Sequence, residues 1–206
     1  MTANYNNVAW FYERLSKIIF GQAQVKAQNF FLNSIKAGSH IIIIGGGTGE
    51  ILESITKIHP IGLHITYIET STNMMALSRK RDTGQNEVNY ITDNIEKVTF
   101  VQQFDVVITA FLLDNFSDKY LAAVFPHIHA RLKLTGLWLN TDFQLTGKLW
   151  QKVMLKMMYA FFGLFNAIEV TKLPDTNLIF RKYGYYIIGE KFFYRNFIAS
   201  KMYKKI

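Results

Sequence analysis

The chain contains no cysteine in its 206 residues. Disulfides, thiolate metal sites and every mechanism that runs through a covalent thiol adduct are excluded together. No metal site is read from the sequence. Long apolar runs are also missing. The longest, over 157–165, has nine residues, far short of the roughly 20 that a membrane-spanning helix needs. Residues 1–7 carry no basic segment followed by an apolar one, so no secretory signal is expected and a cytoplasmic location is. Repeats and low-complexity linkers are absent, and one domain over 1–206 is expected.

Half the residues are apolar, enough for a globular core. The formal charge is +8, which permits an anionic partner such as RNA or a membrane surface. For a chain of this size a basic solvated surface is the preferred reading, and no nucleic-acid partner is expected on charge alone.

The most informative stretch is Ile41-Ile42-Ile43-Ile44-Gly45-Gly46-Gly47-Thr48-Gly49-Glu50. Four β-branched apolar residues in a row predict a strand buried on both faces, as in a parallel sheet. Glycines then let the backbone turn sharply and approach a ligand. Ile51, Leu52, Ile55 and Ile58 follow at helical spacing. Strand, glycine turn and helix predict the first βα unit of a nucleotide-binding α/β domain. The dinucleotide fingerprint G-x-G-x-x-G would need its third glycine at position 50, which is Glu50. A carboxylate there suits the helix dipole and repels a pyrophosphate. No Lys-Ser/Thr pair follows the glycines either, so both NAD and ATP are disfavoured.

Further along, strands are expected over 63–68, 89–92, 105–110 and 137–143, alternating with helices near 71–81, 117–132 and 148–165. Two helices over 8–35, broken at Gly21, precede the first strand. Pro174 and Gly184 bound a short helix. The strands 185–194 and 197–203 are separated only by Arg195 and Asn196, too few residues for a crossover. They must form an antiparallel hairpin. The expected fold is therefore a Rossmann-like, doubly wound, mostly parallel α/β sheet of about seven strands closed by that hairpin, with 1–38 as added cap helices and 39–206 as the sheet domain.

The run Gly45-Gly46-Gly47-Thr48-Gly49 resembles the first motif of class I S-adenosylmethionine (SAM) methyltransferases. Twenty residues after Gly49, Glu69 ends the second strand, where a carboxylate can accept hydrogen bonds from two ribose hydroxyls. Glu69-Thr70-Ser71-Thr72-Asn73-Met74 resembles the family pattern acid-x-Ser-x-x-Met, which implies ribose binding by Glu69 and an adenine contact by Met74. Packing is the alternative role for Met74. Asp93 ends the third strand, and the resemblance implies that it accepts from the adenine amino group while the Asn94 N–H meets a ring nitrogen. Asp93 can equally cap a helix, with Glu96 completing a capping box. Replacing Glu69 is expected to weaken SAM binding and leave stability unchanged, because a carboxylate facing a cleft has little packing to lose.

The family often has an acid two positions before the first glycine, and here that residue is Ile43. Backbone carbonyls near Gly45 and Thr109, or Tyr12, are then expected to hold the methionine end of the cofactor. The segment Tyr5 to Leu15 is similar to the opening of small-molecule methyltransferases, which implies a cap over the cofactor; an amphipathic helix packed on the sheet is the alternative. After the fourth strand, the segment Thr109-Ala110-Phe111-Leu112-Leu113-Asp114-Asn115-Phe116 is where the resemblance implies that the substrate is met, and it lacks the Asn/Asp-Pro-Pro-aromatic sequence of enzymes that methylate base amines. Asp114, His127 and His129 are the ionisable groups nearby, and no catalytic base is named. In the helix near 148–165, Lys148, Lys152 and Lys156 share one face and the rest is strongly apolar. It reads as a core helix with solvated lysines, or as a wall for a lipophilic acceptor resting on a membrane surface. The resemblance is loosest, but present, to ubiquinone/menaquinone-biosynthesis C-methyltransferases. Their substrate is not carried over; the expected activity is methyl transfer from SAM to a small, apolar or aromatic molecule. The alternatives are methylation of RNA or protein, prompted by Lys201, Lys204 and Lys205, and a non-catalytic SAM-binding module.

Overall fold

The computed structural model describes residues 9–164 and 172–205. In chain order the elements are α1 (Ala9–Phe20), α2 (Ala23–Asn29), β1 (His40–Ile44), α3 (Glu50–Ile58), β2 (Ile61–Ile68), α4 (Thr72–Ser78) and β3 (Gln85–Ile91). They continue with β4 (Phe104–Ala110), α5 (Asp118–Arg131), β5 (Leu132–Phe143), α6 (Leu149–Leu164), α7 (Thr176–Lys182), β6 (Tyr185–Phe193) and β7 (Ile198–Lys205).

The isoleucine run has no polar side to give to water, and β1 accordingly sits inside the sheet with both faces covered. Ile42 and Ile44 point into one apolar layer with Phe125, Trp138 and Phe180. Ile41 and Ile43 point into the opposite layer with Leu52, Ile55 and Ile65. Each such side chain stabilises the fold by about 1.5–3 kcal/mol through burial, which fixes β1 as the centre of the molecule.

The sheet has the order β3-β2-β1-β4-β5-β7-β6. Strands β3, β2, β1, β4 and β5 pair in parallel. β7 runs antiparallel between β5 and β6, so six strands share one direction and the hairpin supplies the reversed one. Its connection carries Tyr194, Arg195 and Asn196 at positive φ. The strand order reverses between β1 and β4. Such a switch point opens a crevice at the carboxyl ends of the strands.

Two strand starts differ by four residues or more from the sequence reading. β3 starts at Gln85 instead of 89, because Gly84 at φ 59° completes the turn earlier. β5 starts at Leu132 directly after α5, and its pairing with β4 shifts between Phe104 and Val106. Thr135 lies at φ 65°, and a Cβ on Gly136 would stand 2.6 Å from the Leu132 side chain. This is a bulge that an alternation pattern does not reveal.

A third apolar cluster lies outside the two sheet layers. Phe20 and Ala27 of the N-terminal helices meet Phe143, Leu155, Tyr159, Phe197 and Ile198 there. α1, α2 and α6 are thereby gathered near the carboxyl end of β5.

Candidate functional site

At the carboxyl ends of β1, β2, β3 and β4 the chain leaves one cleft, floored by the glycine loop after β1. Gly45 and Gly47 sit at φ 64° and 63°, a region that only glycine enters readily. Gly46 is held differently. A Cβ there would lie 2.3 Å from the ring of Tyr67, whose hydroxyl donates to the Gly47 carbonyl at 2.9 Å. The loop is thus pressed onto a buried tyrosine of β2, and its face toward the cleft carries no side chain at three consecutive positions.

Glu69 follows β2 and is 5% exposed. Its Oε2 accepts from the Gly47 N–H at 2.9 Å and its Oε1 from the Ser71 N–H at 2.8 Å. Thr70 Oγ1 donates more weakly to Oε1 at 3.4 Å. Burial raises the Glu69 pKa, and the backbone donors partly oppose that rise. The carboxylate therefore ties the glycine loop to the start of α4. About four lone-pair sites are available on a carboxylate, so Oε2 keeps room for one more donor. A second site on Oε1 opens if the Thr70 hydroxyl turns away. The expected independence of stability from Glu69 does not survive this geometry.

Beside Glu69, Ser71 caps α4 by accepting from the Met74 N–H at 3.2 Å. Met74 is 3% exposed and lines the cleft next to Gly47. Asp93 and Asn94 form the adjoining wall with Ile95. Asp93 Oδ1 accepts from the Asn94 N–H at 2.7 Å. A single 3-10 turn over Ile95–Lys97 follows, with Asn94 and not Asp93 as its cap residue. No capping box forms, since Glu96 instead accepts from the Tyr120 hydroxyl at 2.6 Å. Asn94 Oδ1 is buried with no hydrogen-bond partner among the described residues. A buried acceptor left unpaired costs roughly 1–3 kcal/mol, and at a cleft wall that cost is removed by a donor on a ligand.

The structure brings Gly45, Gly46, Gly47, Glu69, Thr70, Met74, Asp93 and Asn94 to this one cleft. Among the sequence candidates, Gly49 and Thr109 do not line it. Gly49 lies at φ 85°, where a Cβ would stand 2.8 Å from Ser78 Cβ, so it seats α3 against α4. The hydroxyl of Thr109 donates to Asn140 Oδ1 at 2.7 Å and accepts from Trp138 Nε1 at 2.9 Å, deep in the sheet. The side chain of Tyr12, and the motif before Ala9, lie outside the described residues.

Several lining residues were not evident from the sequence. Gln24, Val25 and Gln28 of α2 reach the cleft, as does Tyr120 of α5, while Phe111, Leu112, Asn115 and Phe116 line it within the segment after β4 that the sequence points to. Glu50 lines it from the first turn of α3 and pairs with Lys17 of α1. The N-terminal helices therefore close over the glycine loop.

Behind the wall formed by Leu112 and Asn115 lie two buried carboxyls, Asp114 and Asp142. Asp142 Oδ1 accepts from the Leu112 N–H at 3.1 Å, and Asp114 Oδ1 accepts from Asn115 Nδ2 at 3.1 Å. Burial raises the pKa of Asp114 to about 7. Burial raises Asp142 well above the usual carboxylate range, and the charge of Asp114 adds to the rise. Two adjacent buried acids cannot both ionise cheaply, so the pair retains a proton near neutral pH. Phe111, at φ 53°, turns the chain between β4 and this pair. The α6 residue Tyr159 donates to the Asp114 carbonyl at 3.1 Å. His127 is exposed, and His129 contacts Tyr185 at 3.2 Å on the far side of α5. Among the described residues no cluster of metal-ligating side chains occurs.

Known proteins resemble this chain in sequence and in fold. Residues 41–136 match a family model described as a methyltransferase domain. Malonyl-[acyl-carrier protein] O-methyltransferase of Bacillus cereus is 26% identical over 147 residues, covering 68% of this chain and 51% of that protein. The ubiquinone/menaquinone biosynthesis C-methyltransferase of Vibrio parahaemolyticus is 26% identical over 121 residues, covering 56% of this chain and 47% of that protein. The chain thus spans about half the length of these relatives. Magnesium protoporphyrin IX methyltransferase from Synechocystis PCC 6803, solved with bound SAH, superposes with a TM-score of 0.69 at 13% identity. That match covers 98% of this chain and 96% of the other, and it shows a shared fold. In its glycine loop, in the acid ending β2 and in the domain matched over residues 41–136, the chain is similar to class I S-adenosylmethionine-dependent methyltransferases.

Proposed function

We propose that this chain moves a methyl group from SAM to a small, apolar or aromatic acceptor by direct displacement. The observation that carries the reading is the convergence of three strand ends on one cleft: the bare glycine loop, the buried Glu69 carboxylate, and the Asp93–Asn94 wall with its unpartnered Oδ1. SAM supplies an electrophilic methyl group on a sulfonium, and transfer from it asks for alignment more than for acid or base assistance. In this reading the 45–47 backbone takes the methionine end, Glu69 and Thr70 the ribose, and Met74, Asp93 and Asn94 the adenine. Glu50 at the α3 N-terminus supplies a negative charge where a phosphate ligand would need a positive one. The acceptor side is walled by Phe111, Leu112, Phe116 and Tyr120, which favours an apolar or aromatic molecule over a charged polymer.

A basic tail for RNA draws no support from the hairpin. Lys201 pairs with Glu190 at 3.3 Å, and Lys205 donates to the carbonyls of His129 and Leu132. Calorimetry with SAM and its demethylated product tests the donor half of the proposal. Micromolar binding of either is expected, and no binding at millimolar concentration removes the reading. Incubation of extract metabolites with labelled SAM, read by mass spectrometry, then identifies the acceptor.

A further inference from the structure

α6 is built the wrong way round for a helix in water. Its buried face holds Gln151, Leu155 and Tyr159, and that face packs toward Phe111 and Phe143 at the acceptor side of the cleft. The face directly opposite carries Leu149, Val153 and Met157, four residues apart, at 76%, 49% and 64% exposure. Lys148, Lys152 and Lys156 form the neighbouring stripe, all exposed. The helix contains no acidic residue.

Isolated exposed apolar residues are ordinary, but an outward stripe of three on successive turns is not. A solvated helix would place its lysines outward and its apolar residues inward or on the flanks. Here the lysines flank and the apolar stripe leads. That is the arrangement of a helix lying in a membrane interface, with apolar side chains among the acyl chains and basic ones at the headgroups. The charge selects the occupant, because three lysines with no ion pair among the described residues complement an anionic surface. No described helix is long and apolar enough to cross a membrane, so contact through α6 would be peripheral.

We infer that the outward face of α6 docks on an anionic lipid surface. The inference rests on the methyltransferase reading only for its purpose, which is to bring the acceptor wall of the cleft to a lipid-dissolved acceptor. The docking itself stands on α6 alone. Its inner face forms the wall behind Phe111, and its outer face meets the bilayer.

Flotation of the full chain with vesicles tests this. Vesicles of mixed phosphatidylglycerol and phosphatidylcholine are expected to carry the protein at least tenfold more strongly than phosphatidylcholine alone, with the difference shrinking as salt rises. Lys152→Glu/Lys156→Glu and, separately, Val153→Asp/Met157→Asp are each expected to lose at least tenfold in vesicle binding. Both variants keep the wild-type melting temperature and SAH affinity, since these side chains face away from core and cleft. No flotation, or equal flotation on both vesicle types, overturns the inference. A concentration-dependent dimer in sedimentation that the Val153→Asp/Met157→Asp variant abolishes also overturns it, by making this face a contact between two copies. Absent SAH binding with intact anionic flotation would remove the methyltransferase reading and leave the docking standing.

Discussion

The two halves of the cleft are constructed on different principles. On the β1–β2–β3 side, the ligand-facing surface is mainly backbone, and each polar side chain is anchored by a neighbour near in sequence or one strand away. Glu69 holds Gly47 and Ser71, Tyr67 holds the Gly47 carbonyl, and Ser71 caps α4. On the β4–β5 side, the surface is side chain, and its support comes from far along the chain. Leu112 hangs on Asp142, Asp114 on Tyr159, and Phe111 adopts a left-handed φ that bulky residues rarely take. A common donor molecule can be recognised by a rigid, local device. An acceptor that varies between enzymes calls for walls that can be exchanged without disturbing that device.

The largest expected effect breaks the local side. Gly46→Val places a branched side chain on the Tyr67 ring, which cannot retreat because it is fully buried. Overpacking of this kind costs about 3 kcal/mol or more. Thermal melting should fall steeply and SAH binding should vanish; a variant that melts and binds normally would mean that the loop is not seated on Tyr67.

Glu69→Ala tests whether anchoring and binding share one carboxylate. It leaves the buried Gly47 and Ser71 N–H groups without acceptors, at about 1–3 kcal/mol each. Stability is expected to drop by about 2–4 kcal/mol, and SAM affinity by about 30- to 1000-fold. Glu69→Gln keeps one acceptor oxygen and should lose less of both. Weakened binding with unchanged melting would separate the two roles.

The far side is probed by pH. Asp114 and Asp142 have folded-state pKa values raised by burial, Asp114 to about 7. A raised value means that the folded chain holds a proton that the unfolded chain releases near pH 4. The stability associated with that proton is full below pH 4 and is lost as pH rises through about 7. Asp142→Asn keeps an oxygen for the Leu112 N–H and removes one acid. Relative to wild type, its chemical-denaturation stability should therefore improve between pH 5 and pH 8, by about 1–3 kcal/mol. Parallel pH profiles would show that the two carboxyls do not share a proton.

The smallest effect belongs to the ion pair between α1 and α3. Lys17 and Glu50 are partly exposed, at 46% and 27% for their side chains. Lys17→Ala should change stability by no more than about 1 kcal/mol, and calorimetry should show SAM affinity within about threefold of wild type. A larger loss of affinity would make the closure of α1 over the glycine loop part of binding.

Some of this architecture follows from the sequence alone. The isoleucine run, the glycines after it and the acid ending β2 are linked by adjacency and strand period. Nearest-neighbour sterics and hydrophobic burial suffice to place them, and the short link at Arg195 and Asn196 suffices to impose an antiparallel hairpin. The positions of Glu69, Asp93 and Met74 at the cleft follow from the same logic, because parallel strands present their carboxyl ends on one edge. What periodicity cannot give is which distant residues meet. Thr109 belongs to the sheet interior and Gly49 to helix packing because of partners at 138, 140 and 78, which no local pattern names. In the sequence Asp142 is one polar position within β5, and only the fold sets it against Asp114; Gln24 and Gln28 are polar helix positions that only the packing of α2 brings to the cleft. Local spacing decides which way a side chain points; only the closed tertiary structure decides what stands opposite it, and for a buried charge that determines whether it can be ionised at all.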